Sequence, residues 1–217
     1  MHPELPNDSL GTRRERRKES RPGELLAAAL DLFVEKGFAA TRSEEVAKRA
    51  GVSKGTLFLY FPTKEDLFKA VVRENISSKV NEGFDAVEKY PGPTAQLVPY
   101  MMQEWWQRFG STKASGLTKL MMSEATNFPE LATFYHAEVV EPNLRLIRCV
   151  IQRGIDRGEF RKVDLDYAVY AMITPLIYLV TWKHSMGCCV GSHQQIDPER
   201  YLAAQADMLV HGLLKRN

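Results

Sequence analysis

The sequence predicts an all-α protein of about nine helices, in which a short N-terminal three-helix unit precedes a larger helical domain. Three observations carry this expectation. Apolar residues recur at three- and four-residue steps from Pro22 onward. No stretch alternates apolar and polar residues as a strand does. The breaks fall at glycine and proline, and "YPGPT" at 90–94 is the clearest of them.

The 217 residues are 44% hydrophobic and 26% charged, the balance of a globular protein with a real core. A net charge of +2 excludes a polycation, but the charge is uneven. Up to Lys64 there are 12 Lys/Arg against 9 Asp/Glu; beyond it there are 17 against 18. A polyanionic partner is therefore expected at the first third and not elsewhere. Cys149, Cys188 and Cys189 are too few and too badly spaced for a disulfide framework or a zinc site, and an odd count suits a reducing interior. Residues 1–21 contain no apolar core segment, so no secretory signal is expected and the compartment is read as cytoplasmic. The most apolar run, 167–182, is 16 residues long and contains Pro175. A membrane span needs about 20, so the run is read as a buried helix and no membrane partner is expected.

Residues 1–21 carry "RRERRKESR" without periodicity and read as a disordered basic arm, either solvated or touching DNA. A first helix from Pro22 puts Leu25, Ala29, Leu32 and Phe33 on one face, with Gly37 as its stop. A second covers about 44–50 and is broken by Gly51. Ser53 caps a third, which ends near Phe61 because Pro62 disfavours helix in the residue before it. Thr63 and Asp66 form T-x-x-D, the opening of a long helix to about Lys89. Five more are expected at roughly 94–110, 115–126, 129–157, 164–186 and 197–215, with kinks at Pro142 and Pro175. The division into domains is placed at 22–66 and 67–217.

Residues 43–61 hold the informative motif. Two short helices around Gly51-Val52-Ser53 make a helix-turn-helix. Ala47 lets the helices approach, Gly51 supplies the positive φ of the turn, and Val46, Val52 and Leu57 face inward. At 100° per residue the second helix then turns Gly55, Thr56 and Leu59 outward, with Phe58 and Tyr60 on its flanks. Gly55 permits close approach to a phosphate or base. Thr56, Phe58 and Leu59 can meet base edges and thymine methyls in a major groove. Lys54, Tyr60 and Lys64 can hold phosphates and so fix register.

The stretch "AGVSKGTLFLYFPTKEDLF", with "ALDLFVEKGFAATRSEEVAKRAGVS" upstream, closely resembles the TetR family of bacterial transcriptional regulators over about residues 22–75. The resemblance implies DNA contacts by Lys54, Thr56, Tyr60 and Lys64, and a phosphate contact by Ser43. Two departures stand out. Phe58 occupies a position that is often tyrosine in such proteins, which removes one hydroxyl. Arg42 stands where a Ser/Thr cap is usual, so Thr41, boxed with Glu44, or Ser43 is expected to cap the second helix. The later segments "EATNFPELATFYHAEVVEPNLRLI" and "IQRGIDRGEFRKVDLDYA" look like the AcrR-type branch of that family.

In such regulators the rest of the chain forms an effector pocket and a dimer contact. In "YMMQEWWQRFG", 100–110, Met101 and Trp105 share one face; Met102, Trp106 and Phe109 share another. With Met121 and Met122 they are either plain core or the wall of a pocket for varied apolar ligands. Glu124 lies on the apolar stripe of Leu117 and Phe128, where it attracts a cationic ligand or bonds a neighbouring side chain; Tyr178 is a further candidate. His136 and His184 lack metal-ligand spacing, and no metal or cofactor is expected. Tyr170, Pro175, Leu179 and Trp182, with Tyr201, Met208 and Leu209 of the last helix, are expected to form a two-fold interface that completes a four-helix bundle.

The expected function is a ligand-responsive regulator: a homodimeric repressor on a pseudo-palindromic double-stranded DNA operator, released by a small lipophilic or aromatic effector. The alternative is a DNA-binding regulator or architectural protein gated by a protein partner, without a small ligand. An enzyme is not expected, since the chain has no glycine-rich phosphate loop, G-x-S-x-G, H-E-x-x-H or usable Cys/His pair.

Overall fold

The computed structural model describes residues 13–215. The architecture is all-α among these residues, with a single isolated β-bridge between Phe160 and Leu214. The helices are α1 (Arg13–Lys36), α2 (Ser43–Arg49), α3 (Lys54–Tyr60), α4 (Lys64–Asn75), α5 (Val80–Lys89), α6 (Thr94–Trp105), α7 (Gly116–Glu124), α8 (Pro129–Tyr135), α9 (Glu141–Asp156), α10 (Leu165–Lys183) and α11 (Pro198–Leu213). Each of the nine expected segments is present. Two are interrupted, which accounts for eleven helices.

The first interruption separates α4 from α5. Asn75 turns its side-chain amide back to the Val71 carbonyl at 2.8 Å, offering the backbone an alternative to the next helical bond. Buried Ile76 leaves the helical region at φ −128°, ψ −63°, and a 3₁₀ turn, Ser77–Lys79, leads into α5. The second lies between α8 and α9. Pro142 has no N–H and crowds the carbonyl four residues before it. The chain absorbs this in a π-helical turn, His136–Val140, rather than ending the helix. A second π turn, Trp106–Gly110, extends α6, and Pro175 sits inside α10.

Two expectations at the N-terminus need correction. Residues 13–21, read as a disordered arm, form the opening turns of α1, so Pro22 lies inside that helix and not in its first turn. Residues 1–12 fall outside the described part of the chain. The N-cap of α2 is Arg42, not Thr41 or Ser43. Thr41 is buried, and its hydroxyl instead donates to the carbonyls of Gly37, at 2.7 Å, and Leu32, at 3.2 Å.

Two apolar cores position the sites. The first joins α1–α4 to α7, α8 and the His136–Val140 turn. At its centre Phe33, Phe38 and Phe68 are fully buried, with ring centroids 5.4–5.7 Å apart, and Phe128 meets Phe38 edge-on at 4.8 Å. The second is built by α5, α6, α9, α10 and α11. The expected domain boundary near residue 66 thus falls inside α4, and packing is continuous across it. Helix α10 is long and apolar enough to cross a membrane by length and composition, but Val169, Met172, Leu176, Leu179 and Val180 are buried in the protein.

Candidate nucleic-acid interface and effector cavity

The α2–α3 unit is assembled by local chemistry. Gly51 adopts φ +68°, a region that costs an L side chain strain, and its turn is closed by Val52 N–H donating to the Ala47 carbonyl at 2.9 Å. Ala47 and Val46 are buried, and so is Leu57 on α3. Ser53 caps α3, its hydroxyl oxygen accepting from the Thr56 N–H at 3.0 Å and lying 2.9 Å from the Thr56 hydroxyl.

With Leu57 as the inward anchor, the opposite side of α3 is open. Leu59 is 85% exposed, Phe58 is at the border of exposure, and a side chain at Gly55 would meet nothing closer than Ser53 Oγ at 3.7 Å. Thr56 and Tyr60 are half-buried on the flanks. Lys54 is exposed; it pairs with Glu44 and lies 5.6 Å over the Phe58 ring. Its ammonium holds the Glu44 carboxyl below the usual carboxylate range, chiefly through their hydrogen bond. Ser43 is half-buried in the first turn of α2. Lys64 has partners that the sequence did not reveal. Its ammonium donates to the carbonyls of Phe38, Thr41 and Ala39 at 2.8, 3.1 and 3.3 Å, and sits 4.4 Å over the Phe38 ring. In this conformation it clamps the α1–α2 loop.

A cavity of about 830 Å³ is lined by residues of α5, α6, α7, α8, α9, α10 and both π turns. Of the candidates, Met101, Trp105, Phe109, Met121 and Met122 line it. Trp106, Glu124 and Tyr178 do not. Trp106 stands on the other side of its π turn, beneath Lys183, whose ammonium is 5.7 Å from the ring. Glu124 points back to the α1–α2 loop, where its Oε1 accepts weakly from Ala39 N–H at 3.4 Å. Tyr178 is exposed, its ring 6.3 Å from Trp182 and 6.1 Å from Tyr201.

The wall is mainly apolar but carries polar groups, two sets of which are bonded to one another. Deep inside, Tyr135 and Thr118 share a hydrogen bond of 3.0 Å, and burial pushes the tyrosine up to about 12. On the α5–α6 side, Arg108 pairs with Glu104 at 2.8 Å and reaches toward Glu82 at 3.5 Å. His136, treated from sequence as an ordinary polar residue, also lines the cavity, as do Lys79, Val80 and Gly83 around the start of α5. The 79/80/83 spacing was a readable helical signal. The sequence lacked any sign of which side of this polar helix meets a void.

The expected interface residues divide. Tyr170 is 51% exposed and also lines the cavity. Met208 is exposed; Pro175, Trp182, Tyr201 and Leu209 are half-buried. Leu179 must be withdrawn as a surface contact, because it is buried in the core of its own subunit. Away from both sites, buried Ser115 is hydrogen-bonded to His184 Nε2 at 2.8 Å, and burial beside Lys183 pushes that imidazole down to about 4. The three cysteines are exposed and free, and no group of three potential metal ligands occurs among the described residues.

Comparison with known proteins bears on the family and the fold. Residues 25–71 match the model of bacterial regulatory proteins, tetR family. Residues 100–186 match the model of the tetracyclin repressor-like C-terminal domain. The HTH-type transcriptional regulator YdeS of Bacillus subtilis is 26% identical over 166 residues, covering 75% of this chain and 79% of its own. Among solved structures, the fatty acid degradation regulator FadR of Bacillus halodurans is similar with a TM-score of 0.72 at 21% identity, over 88% of this chain and 94% of that one. FadR of Bacillus subtilis, solved in complex with stearoyl-CoA, has a TM-score of 0.65 at 20% identity, over 88% and 98%. At these identities the two structures speak to the fold.

Proposed function

Since the chain belongs to the TetR family of bacterial transcriptional regulators, we propose that it is a homodimeric repressor that a small lipophilic effector releases from its operator. The observation that carries this reading is the pairing of an unobstructed α3, with Leu59 and Gly55 facing solvent, and an apolar cavity packed into the same core. Such a DNA-binding role places the protein in the cytoplasm.

On the DNA side, Gly55, Thr56, Phe58 and Leu59 enter the major groove, and Lys54, Tyr60 and Ser43 touch phosphates. Glu44 must release Lys54 for that contact. Lys64 stays with the loop or exchanges its carbonyls for a phosphate. Two recognition helices on a two-fold axis then read half-sites about one helical turn apart, or a multiple of it.

On the effector side, a volume of about 830 Å³ lies in the range of drug-sized pockets, roughly 300–1,000 Å³. Methionine and aromatic walls suit a flexible apolar chain or a flat ring. The stearoyl-CoA of the similar FadR makes long acyl compounds the first class to test. Three contacts link the cavity to the reading unit. Arg73 of α4 holds Glu138, inside the π turn that carries His136 and Val139, through a forked ion pair with an Nε–Oε2 distance of 2.8 Å. Glu124, next on α7 to Met121 and Met122, reaches the Ala39 N–H. Val34 of α1 abuts Gly116, where an added Cβ would lie 2.7 Å from it. An effector that shifts α7 or the π turn therefore moves α1 and α4 and re-spaces the recognition helices. A coupling of ~1–3 kcal/mol is enough for a several-fold to hundred-fold loss of operator affinity.

The test is fluorescence anisotropy with DNA from upstream of the protein's own coding sequence, followed by addition of acyl-CoAs and aromatic hydrophobes chosen by thermal shift. Specific binding that is lost with a stabilising compound supports the proposal. Specific binding that no stabilising compound affects overturns the effector half and favours a protein partner.

A further inference from the structure

We infer that the effector carries an uncharged hydrogen-bond acceptor, the carbonyl oxygen of a ketone, ester, thioester or amide, which the Tyr135–Thr118 pair receives inside the cavity. The inference rests on the effector reading above and narrows it to one chemical class.

Thr118 of α7 and Tyr135 of α8 both line the cavity and are only 6% and 7% exposed. Among the described residues no other polar side chain of the lining is buried. The two hydroxyls bring two protons to one mutual bond of 3.0 Å. Neither has a second hydrogen-bond partner among the described residues. Whichever oxygen donates, the proton of the other is left over. A buried donor without an acceptor is costly, more so than an oxygen with a spare lone pair. An acceptor that enters the cavity removes that cost, and a few such polar contacts in an apolar wall are what fix a ligand's orientation.

The same surroundings disfavour an anion. Burial is what pushes the Tyr135 hydroxyl up to about 12, opposed only by its bond to Thr118; none of Lys79, Arg108 and His136, the cationic or basic side chains of the lining, acts on it. Arg108 is engaged by Glu104 and Glu82. A carboxylate seated at the pair is therefore desolvated without a counter-charge, whereas a carbonyl oxygen needs none. The position also joins the contact to the reading unit. Tyr135 stands directly before the π turn that holds Arg73 through Glu138, and the Phe134 ring beside it lies 5.1 Å from the Arg73 guanidinium of α4. Thr118 follows two residues after Gly116, which abuts Val34 of α1. A ligand oxygen at the pair thus bears on α7 and α8 where they meet α1 and α4.

The test uses three naphthalenes of nearly one shape on the full chain, with affinities from titration calorimetry. 2-Acetylnaphthalene has the acceptor, 2-isopropenylnaphthalene replaces it with a methylene, and 2-naphthoate replaces it with a charge. The double variant Thr118→Val, Tyr135→Phe removes both hydroxyls and little else. In it the preference for ketone over alkene should fall by about five-fold or more, the cost of leaving a buried oxygen unpaired. A packing change alone weakens both ligands alike and leaves that ratio unmoved. Wild type should bind the carboxylate roughly ten-fold or more weakly than the ketone. The carbonyl stretch of the ketone bound to wild type should lie below its frequency in hexane. A ratio that moves less, a carboxylate that binds within that factor of the ketone, or a stretch at the hexane value overturns the inference. If the variant fails to fold, the stretch and the carboxylate comparison decide. A wild-type chain that takes none of the three sinks the effector reading and this inference with it. One that takes the alkene and fails the other comparisons leaves the effector reading standing and ends only the inference.

Discussion

Leu57 and Leu59 are two residues apart on α3 and present opposite expectations. Leu57 is fully buried, whereas Leu59 is 85% exposed. Truncating Leu57 to alanine removes methyl groups from a packed core and leaves a cavity, at a cost of ~2–5 kcal/mol. At roughly 2–4 °C per kcal/mol for a chain of this size, the melting temperature should fall by about 5–15 °C. Leu59→Ala removes nothing that the folded protein uses, so stability should stay within ~0.5 kcal/mol of wild type. Its cost appears only on DNA. A leucine moved from water into apolar contact is worth ~1.5–3 kcal/mol, and alanine keeps part of it, so about 1–2 kcal/mol is lost per recognition helix. For one helix that is roughly five- to thirty-fold in operator affinity, and the free-energy loss doubles for a homodimer. Thermal melts and anisotropy titrations on the same preparations separate the two effects. Leu59→Ala melting like Leu57→Ala, or binding DNA like wild type, would refute the orientation assigned to α3.

Lys64→Met removes charge-assisted bonds to three carbonyls and should cost ~1–3 kcal/mol of stability, visible in denaturant melts; an unchanged melt would free Lys64 for phosphate alone. Burial pushes the His184 imidazole down to about 4 from 6.5. The unfolded chain therefore binds a proton that the folded one refuses between those values, so its contribution is complete above pH 6.5 and is lost as the pH falls toward 4. His184→Gln should flatten the pH dependence of the melting temperature between pH 6.5 and 4.5, and an equal slope in both proteins would contradict the assignment. Arg73→Ala breaks a mostly exposed pair worth ~1 kcal/mol or less. Its larger expected effect is a raised effector concentration for half-release from DNA at unchanged operator affinity; release at the wild-type concentration removes Arg73–Glu138 from the coupling route.

What could be read in advance follows from the range of the forces involved. Gly51, Ser53, Pro62 and the T-x-x-D of Thr63 and Asp66 act within a few residues, and the α2–α3–α4 boundaries were legible from them. The stop at Ile76 was not, because it depends on the Asn75 amide returning to Val71 and on a buried isoleucine. Pro142 announced a disturbance, but a π turn absorbs it instead of a plain kink. In the cavity, Met101, Trp105 and Phe109 were identifiable as rings and sulfurs on one helix. Trp106 was not separable from them, since the π turn after α6 rotates the following residues off α-helical register. Glu124 shared an apolar stripe yet belongs to a contact 85 positions back in the chain, a distance that periodicity does not see. Leu179 and Tyr178 are neighbours on a helix apolar on every side, where only tertiary packing separates inside from outside.

Protection mapping on DNA from upstream of the coding sequence tests the central claim most directly. The account predicts two protected half-sites about one helical turn apart, or a multiple of it, and affinity that falls steeply with salt as Lys and Arg contacts release counterions. Folded protein at low salt that protects no sequence, or protects every sequence alike, would contradict it.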